Sequence, residues 1–340
     1  MVSYRTKAVP FERRGGYKDY WVASDSLEHT SHDYDGYMFD SNLNKVDFKC
    51  FRVDAVTDYA LDCINKCNDE KPFFLFLSFL EPHHQNDHNR YEGPVGSKET
   101  FSNYEVLGDL KGTKGDWREN YPDYLGSCNS IDKNVGRIID LLKQNKIYDD
   151  TIVIYMSDHG SHFRTRNQED LCGYDDYKRA CHDSCTHTPL IIHGPGFSGG
   201  KTIEAMTSLI DLPATILECA GINKPESIEG NNLKRLIDIC PKDWPDDIFM
   251  QISESQVGRA IRIKEWKYSV KAPGLDGNFY SCSETYTEDF LYDLKNDPYE
   301  RNNLVACPDF VEKRNKLSKL LIKRMTVIGE KVSVILPKIH

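Results

Sequence analysis

An α/β fold with a central, mostly parallel sheet flanked by helices, followed by a small C-terminal α+β subdomain, is what this sequence predicts. Three observations carry that reading. A helical stripe followed by a short apolar run occurs over residues 52–80 and again over 121–156, the cadence of a parallel sheet covered by helices. Both apolar runs stop abruptly at ionisable residues, where open α/β sheets place their ligands. Beyond about residue 245, short strand candidates follow one another without intervening helices, the order of a small antiparallel sheet. Two domains are therefore expected, 1–245 and 246–340.

Residues 1–50 are polar, aromatic and irregular, with a turn at Gly15-Gly16. Val53, Val56, Ala60, Ile64 and Cys67 then recur at helical spacing. Phe73 to Leu80, reading FFLFLSFL, is long enough for a buried strand and too short for a buried helix. Glu81-Pro82-His83-His84 follows it directly. Residues 85–118 read as a long polar loop, a length usually kept for function. Leu125, Cys128, Ile131, Val135, Ile138 and Leu142 make one helical stripe, and the strand Ile152–Met156 comes next.

That strand ends in Ser157-Asp158-His159-Gly160. A carboxylate beside an imidazole at a strand end suits a metal or an anion site; equally, Asp158 caps the next segment and His159 is a turn residue. Residues 161–188 crowd His162, Arg164, Arg166, Lys178, Arg179, His182 and His187 beyond Asp158. Oxygen ligands for a divalent metal and cationic donors for a tetrahedral anion would make a coherent pair of functions there. Cys172, Cys181, Cys185, His182 and His187 raise structural zinc, but a paired second Cys-x-x-Cys is missing. A third strand, Pro189–Ile192, a helix over 206–221, strands at 247–252, 258–263, 266–271 and 290–294, and a last amphipathic helix through Phe310, Leu317, Leu320, Leu321 and Met325 complete the chain.

Composition narrows the function classes. An apolar fraction of 39% over 340 residues supports a real core and argues against disorder. No run approaches the roughly 20 apolar residues that span a bilayer. A net charge of −10 disfavours an extended nucleic-acid track. The opening MVSYRTKAVPFERRGG lacks the apolar core of a secretory signal. The 11 cysteines are not the dense, even framework of a small secreted scaffold. Reduced thiols in the cytoplasm are the expectation.

The segments PFFLFLSFLEPHHQ, IDKNVGRIIDLL, TIVIYMSDHG, HFRTRN, YKRACHDSCTHTPLIIHGPGF, LIDLPATILECAGI and LYDLKNDPYERNNL stand in an order that resembles the type I sulfatases of the alkaline-phosphatase superfamily. The resemblance runs from about Val9 to the end of the chain. It implies a sulfatase-like α/β fold and hydrolysis of a sulfate ester on a carbohydrate or other small molecule. By that resemblance Asp158 and His159 are the metal pair, with Ca²⁺ the usual ion. His83 contacts the sulfate and protonates the leaving oxygen, with His84 its alternative. Lys178, eleven residues before Pro189, is the sulfate-binding lysine. His182, Arg164 and Arg166 would read the substrate.

The departure is the nucleophile. The family's formylglycine arises in Cys/Ser-x-Pro-Ser/Ala-Arg, and no such context occurs in the chain. The family's early Asp pair and its Gly-Lys-Trp-His segment are missing too. The expectation is a sulfatase lacking its nucleophile-bearing third, the metal site incomplete and a separate N-terminal segment a possible partner. Two alternatives stay open at this point: a non-catalytic fragment that binds an anion or a partner chain, and a phosphodiesterase or phosphatase of the same superfamily.

Overall fold

The structure, a computed structural model, describes residues 6–67, 71–166, 177–237, 241–331 and 334–338. The chain forms two compact units, one of residues up to 105 with 116–151, the other of 106–115 with 152 onward.

In the first unit an antiparallel hairpin, β1 (Gly36–Phe39) and β2 (Lys45–Phe48), precedes helices α1 (Arg52–Lys66), α2 (Ser97–Phe101) and α3 (Trp117–Gln144). Val53, Val56, Ala60 and Ile64, spaced three and four apart, are the buried face of α1. Met38, Phe48, Ala55 and Val56 form the centre of a core against which Leu77 and Phe79 pack. Helix α2 comes so close to α3 that a Cβ on Gly126 would meet Ser97 Oγ at 2.0 Å, so only glycine fits there. Asn134 Nδ2 ties α3 to α1 by donating to Asp54 Oδ1 at 2.8 Å.

The run 73–80 departs from its expected form. It joins no ladder among the described residues, and Phe73, Phe74 and Phe76 are exposed. Its period of two survives, since Leu77 and Phe79 turn into the core while Phe74 and Phe76 lie against the Tyr17 ring at 6.0 and 6.5 Å. Among the described residues no neighbouring strand receives its backbone groups.

The end of this run is anchored by charge. Glu81 accepts from Arg52 Nε at 2.8 Å, and both side chains are 2% exposed. Arg52 Nη1 also donates to the Ser31 carbonyl oxygen and hydroxyl at 3.1 and 3.0 Å. One guanidinium at the start of α1 thus holds both Ser31, ahead of β1, and the residue two before His83.

In the second unit β3 (Val153–Met156) pairs with β4 (Leu190–His193), and the short helix α4 (Asp183–Thr186) lies between them in the chain. The pair is antiparallel, whereas the helix–strand cadence predicts parallel neighbours. The chain returns after a long excursion and runs back along β3. Helix α5 (Asp211–Cys219) covers this pair, with Leu212, Leu233, Leu236 and Trp244 packed on Ile154, Leu190 and Ile192. It begins later than its apolar spacing predicts because Asp211 acts at its start, accepting from Ser208 N and Asn231 N at 2.8 Å each.

The C-terminal sheet follows the expected strands: β5 (Asp247–Glu254), β6 (Gln256–Ile263), β7 (Trp266–Lys271) and β8 (Thr285–Asp293), each antiparallel to the next. Strand β9 (Val334–Leu336) adds a parallel edge to β8. Helix α6 (Val311–Val327) covers one face, burying Leu317, Leu321 and Met325 on Ile261, Tyr268, Val270 and Leu291. Alternation turns Ala260, Phe290 and Tyr292 to the other face, where Cys181 packs.

Lys267, on β7 between Trp266 and Tyr268, is fully buried. Its ammonium contacts Asp183 Oδ1 and lies 2.7 Å from Glu300 Oε1. Asp183 also accepts from Arg262 Nε and Nη2 at 3.2 and 3.1 Å, and its backbone N–H donates to Glu300 Oε2 at 2.7 Å. Burial works to raise the Asp183 carboxyl, but Lys267 and Arg262 outweigh it and hold the group down at about 2. Burial wins at Glu300, whose carboxyl is pushed up in spite of Lys267. The segment entering α4 is therefore pinned to the sheet by charge.

Replacing Arg52 with alanine leaves the Glu81 carboxylate buried without its counter-ion. We expect Arg52→Ala to lower unfolding free energy in urea by about 3–5 kcal/mol; a change below about 1 kcal/mol would contradict the reading. Asp183 gives a pH signature. Its folded value lies below the ordinary carboxylate value of 3.8, so its contribution is present above that pH and is lost as pH falls toward 2. The wild type should lose about 2 kcal/mol through this group over that interval. Denaturation curves of Asp183→Asn should lack that component, and identical acid profiles would contradict it.

Candidate active site

The turn after β3 is built by close backbone approach. Gly160 N donates to the Cys185 carbonyl oxygen at 2.8 Å, and a Cβ on Gly160 would meet the Ser184 carbonyl oxygen at 2.1 Å. Any larger residue would push the turn off α4. Ser157 Oγ donates to the His159 carbonyl oxygen at 2.7 Å, and Asp158 Oδ1 accepts from His159 N at 2.9 Å. His159 Nδ1 lies 2.9 Å from the Gly160 carbonyl oxygen, which can only accept. In the neutral ring this leaves Nε2 as the acceptor nitrogen, 3.5 Å from Asp158 Oδ2. Two acceptors at that spacing fit adjacent positions on one divalent cation with bonds of about 2.3–2.6 Å. They do not make a whole calcium set, which takes about 6–8 oxygens.

Residues 161–166 and 177–187 come together beyond this turn. His162 N donates to the Tyr177 carbonyl oxygen at 2.8 Å, which sets Lys178 beside the buried His162. The Arg164 guanidinium stands 4.7 Å over the Tyr177 ring, a cation–π contact. Phe163, Arg164 and Tyr177 have φ of 47°, 58° and 65°, left-handed values that are unusual for bulky residues. Such strain collects at functional sites, where the surroundings enforce it. Lys178 itself is half-buried.

Arg166 and His182 are placed differently from Lys178. Arg166 donates to the Glu300 and Tyr299 carbonyl oxygens at 2.6 and 2.7 Å, tying its loop to the residues after β8. His182 is 6% exposed, its ring centroid 4.6 Å from that of Phe290 and its Nε2 3.2 Å from Tyr292 Oη. Burial, with the cations Arg166 and Lys267 and with His162, holds it well below the ordinary imidazole value, so it is neutral. Both residues border a cavity of about 10 Å³, room for about one water. Cys181 and Cys185 are buried cysteines, and burial pushes the Cys181 thiol up to about 12. Cys172, the remaining cysteine of the zinc reading, lies outside the described residues.

His83 and His84 belong to the first unit. His83 N donates to the Leu80 carbonyl oxygen at 3.0 Å, and its Nδ1 donates to the His84 carbonyl oxygen at 2.5 Å, which leaves Nε2 as the ring's other nitrogen. His84 is 4% exposed, with Nδ1 3.1 Å from Asn86 Oδ1 and its ring edge-on to Tyr91. Of the two, His83 keeps more of its side chain open.

Some residues that organise this region carry no motif of their own. Arg262 and Lys267 stand in none of the quoted segments, while Asp183 stands inside YKRACHDSCTHTPLIIHGPGF and Glu300 inside LYDLKNDPYERNNL. That segment is now legible as structure. Asp297 Oδ2 accepts from Arg301 N and Asn302 N at 2.7 Å each, and Asn303 Oδ1 accepts from Leu291 N at 3.0 Å. Glycine-rich letters after β4, Gly194 to Gly200, match both G-x-G-x-x-G and G-x-S-x-G. No helix follows until Asp211, so neither the phosphate cradle nor the nucleophile elbow is built.

The sulfatase family model matches residues 6–222, and the model for the C-terminal part of N-sulphoglucosamine sulphohydrolase matches 172–326. The ulvan-active sulfatase of Formosa agariphila is 25% identical over 96% of this chain and 61% of its own length. The N-acetylglucosamine-6-O-sulfatase of Bacteroides thetaiotaomicron is 29% identical over 63% of this chain and 38% of its own length. This chain thus spans less than two thirds of either relative. Among solved structures, the yidJ protein of Bacteroides fragilis superposes with a TM-score of 0.76 at 23% identity, over 96% of this chain and 69% of that one. A protein solved with its substrate D-glucosamine-2-N,6-O-disulfate gives a TM-score of 0.69 at 21% identity, over 91% of this chain and 76% of that one. These last two likenesses show a shared fold. With its family match spanning residues 6–222 of 340, the chain belongs to the sulfatase family.

Proposed function

We propose that this chain carries the metal-contacting and anion-binding groups of a sulfate-ester hydrolase that acts on a sulfated carbohydrate. The observation that carries the reading is the turn after β3, where Asp158 and His159 offer two acceptors 3.5 Å apart on a backbone held by Gly160 against α4. Sulfatases generally use a divalent metal, and the proposed ion is Ca²⁺, for which Asp158 and His159 would be part of the ligand set. When bound, that ion would supply positive charge against the sulfate and its nucleophile.

Lys178, whose segment the His162–Tyr177 hydrogen bond holds, would neutralise charge on the sulfuryl oxygens. Arg164, braced on the Tyr177 ring, would add a second cation for the substrate. Arg166 and His182, held in the fold, would act on substrate only through the segment they position. His83, its Nδ1 proton committed to a carbonyl, would use Nε2 to protonate the leaving oxygen, with His84 as the buried neighbour that supports it. A carbohydrate sulfate is favoured because the relatives are named for ulvan and N-acetylglucosamine-6-O-sulfate, and one structural neighbour holds a sulfated glucosamine.

No Cys or Ser of the 340 residues stands in the formylglycine context, so turnover is proposed only together with a nucleophile-bearing segment. That same observation favours a second reading, an anion-binding chain without catalysis. We expect the purified 340-residue chain to release no sulfate from D-glucosamine-2-N,6-O-disulfate above background, while calorimetry detects its binding. Lys178→Ala should weaken that binding by about tenfold or more, the scale of one charge-assisted contact. Sulfate release abolished by Lys178→Ala would contradict the need for a separate nucleophile. Binding indifferent to Lys178 would remove the anion site itself.

A further inference from the structure

The first unit holds a second cluster of ligand-type side chains, apart from the residues assigned above. His32 lies in the turn closed by the Ser31–Gly36 bridge, and His32 N donates to the Asp35 carbonyl oxygen at 2.9 Å. Asp87 and His88 stand on a tight loop closed by the Gln85–Arg90 bridge. One ligand atom from each of His32, Asp87 and His88 lies within 4.8 Å of the others. The side chains are 42%, 56% and 37% exposed, so an ion can reach them from solvent.

The two imidazole rings stack at 4.4 Å with an interplanar angle of 9°, and His32 Nε2 lies 2.9 Å from Asp87 Oδ2. His88 Nδ1 is 2.5 Å from Glu92 Oε1, a carboxylate 4% exposed, which orients the ring and leaves Nε2 as its other nitrogen. A buried carboxylate behind a histidine is the usual partner of a metal-binding imidazole. Gln85 Nε2 holds the far oxygen of Asp87, Oδ1, at 2.7 Å. Two imidazoles and one carboxylate form the donor set that Zn²⁺ and neighbouring first-row ions select, with a fourth position open to water. Calcium prefers a shell of about 6–8 ligands dominated by oxygens, which two imidazoles against one carboxylate do not approach.

We propose that His32, Asp87 and His88 bind a divalent transition-metal ion of the zinc class, with Glu92 orienting His88. Ligands on a tetrahedral ion with bonds near 2.0–2.1 Å sit about 3.3 Å apart, so modest rotation of these exposed side chains closes the set. Binding through His32 Nε2 places the proton of the neutral ring on Nδ1, and a proton leaves to solvent only from a ring that was protonated beforehand. The ion clips residue 32 to the loop that leads out of His83 and His84. A plain ion pair between protonated His32 and Asp87 is the competing outcome.

The test uses the full chain stripped of metal and titrated with Co²⁺ as an absorbing stand-in for Zn²⁺. The expected result is a tetrahedral ligand-field spectrum at one equivalent, displaced by Zn²⁺ and indifferent to millimolar Ca²⁺. His32→Ala, Asp87→Asn and His88→Ala should each abolish it while circular dichroism stays that of the wild type. Glu92→Gln should weaken affinity by about 10–100-fold. If an alanine variant unfolds, His32→Gln and His88→Gln take its place. No spectrum with the wild type, or a spectrum kept in the histidine variants and lost in Asp158→Ala, would overturn the proposal.

Discussion

A lysine with no exposed side-chain surface, Lys267, is the constraint on which the second unit depends. An isolated buried ammonium is too costly to keep, so its neighbours must be anionic and fixed. Asp183 and Glu300 meet that demand from two distant parts of the chain, and Arg262 adds a second cation on Asp183. The opposite directions of their carboxyl shifts follow from one competition. At Asp183 two cations outweigh burial, while at Glu300 burial outweighs the single lysine. The segment that enters α4 can stand in one place only while both carboxylates remain.

From that anchor the candidate site is assembled by short steps. Asp183 fixes α4, the Cys185 carbonyl oxygen holds Gly160, and Gly160 ends the turn that presents Asp158 and His159. On the other side of the same segment, Cys181 and His182 pack against Phe290 and Tyr292, and the Tyr177 carbonyl oxygen receives His162 N. The C-terminal sheet thus does two jobs. One face closes a hydrophobic core with α6, and the other carries the loop that holds Lys178. In the function proposed above, these groups would hold an anion and part of a metal shell.

Much of this was legible in the sequence because it is written in local patterns. The apolar spacing of Val53, Val56, Ala60 and Ile64 gave α1, and the strand candidates after 245 became β5 to β8. The strand before Asp158 stands where the apolar run ends. Pairing was less legible, because partners are chosen over long sequence distances. Alternation alone did not tell that β4 would run against β3, or that 73–80 would stand without a ladder among the described residues. Lys267 was hidden for a related reason. A single lysine within a β-strand reads as a solvated side chain until the sheet face it points from is known. His182 misled in the opposite sense, since a histidine among cations suggests substrate while its burial against Phe290 makes it part of the support.

The dependence of the site on the buried lysine is open to direct measurement by amide hydrogen exchange on Lys267→Met beside the wild type. The methionine keeps much of the side-chain volume and removes the charge, leaving Asp183 and Glu300 facing one another. Protection of the Gly160 and Asp183 amides, which donate to the Cys185 carbonyl oxygen and to Glu300, should fall by about tenfold or more, while the amides of α6 keep theirs. Unchanged protection at Gly160 and Asp183 in the variant would contradict the claim that Lys267 holds the site in place.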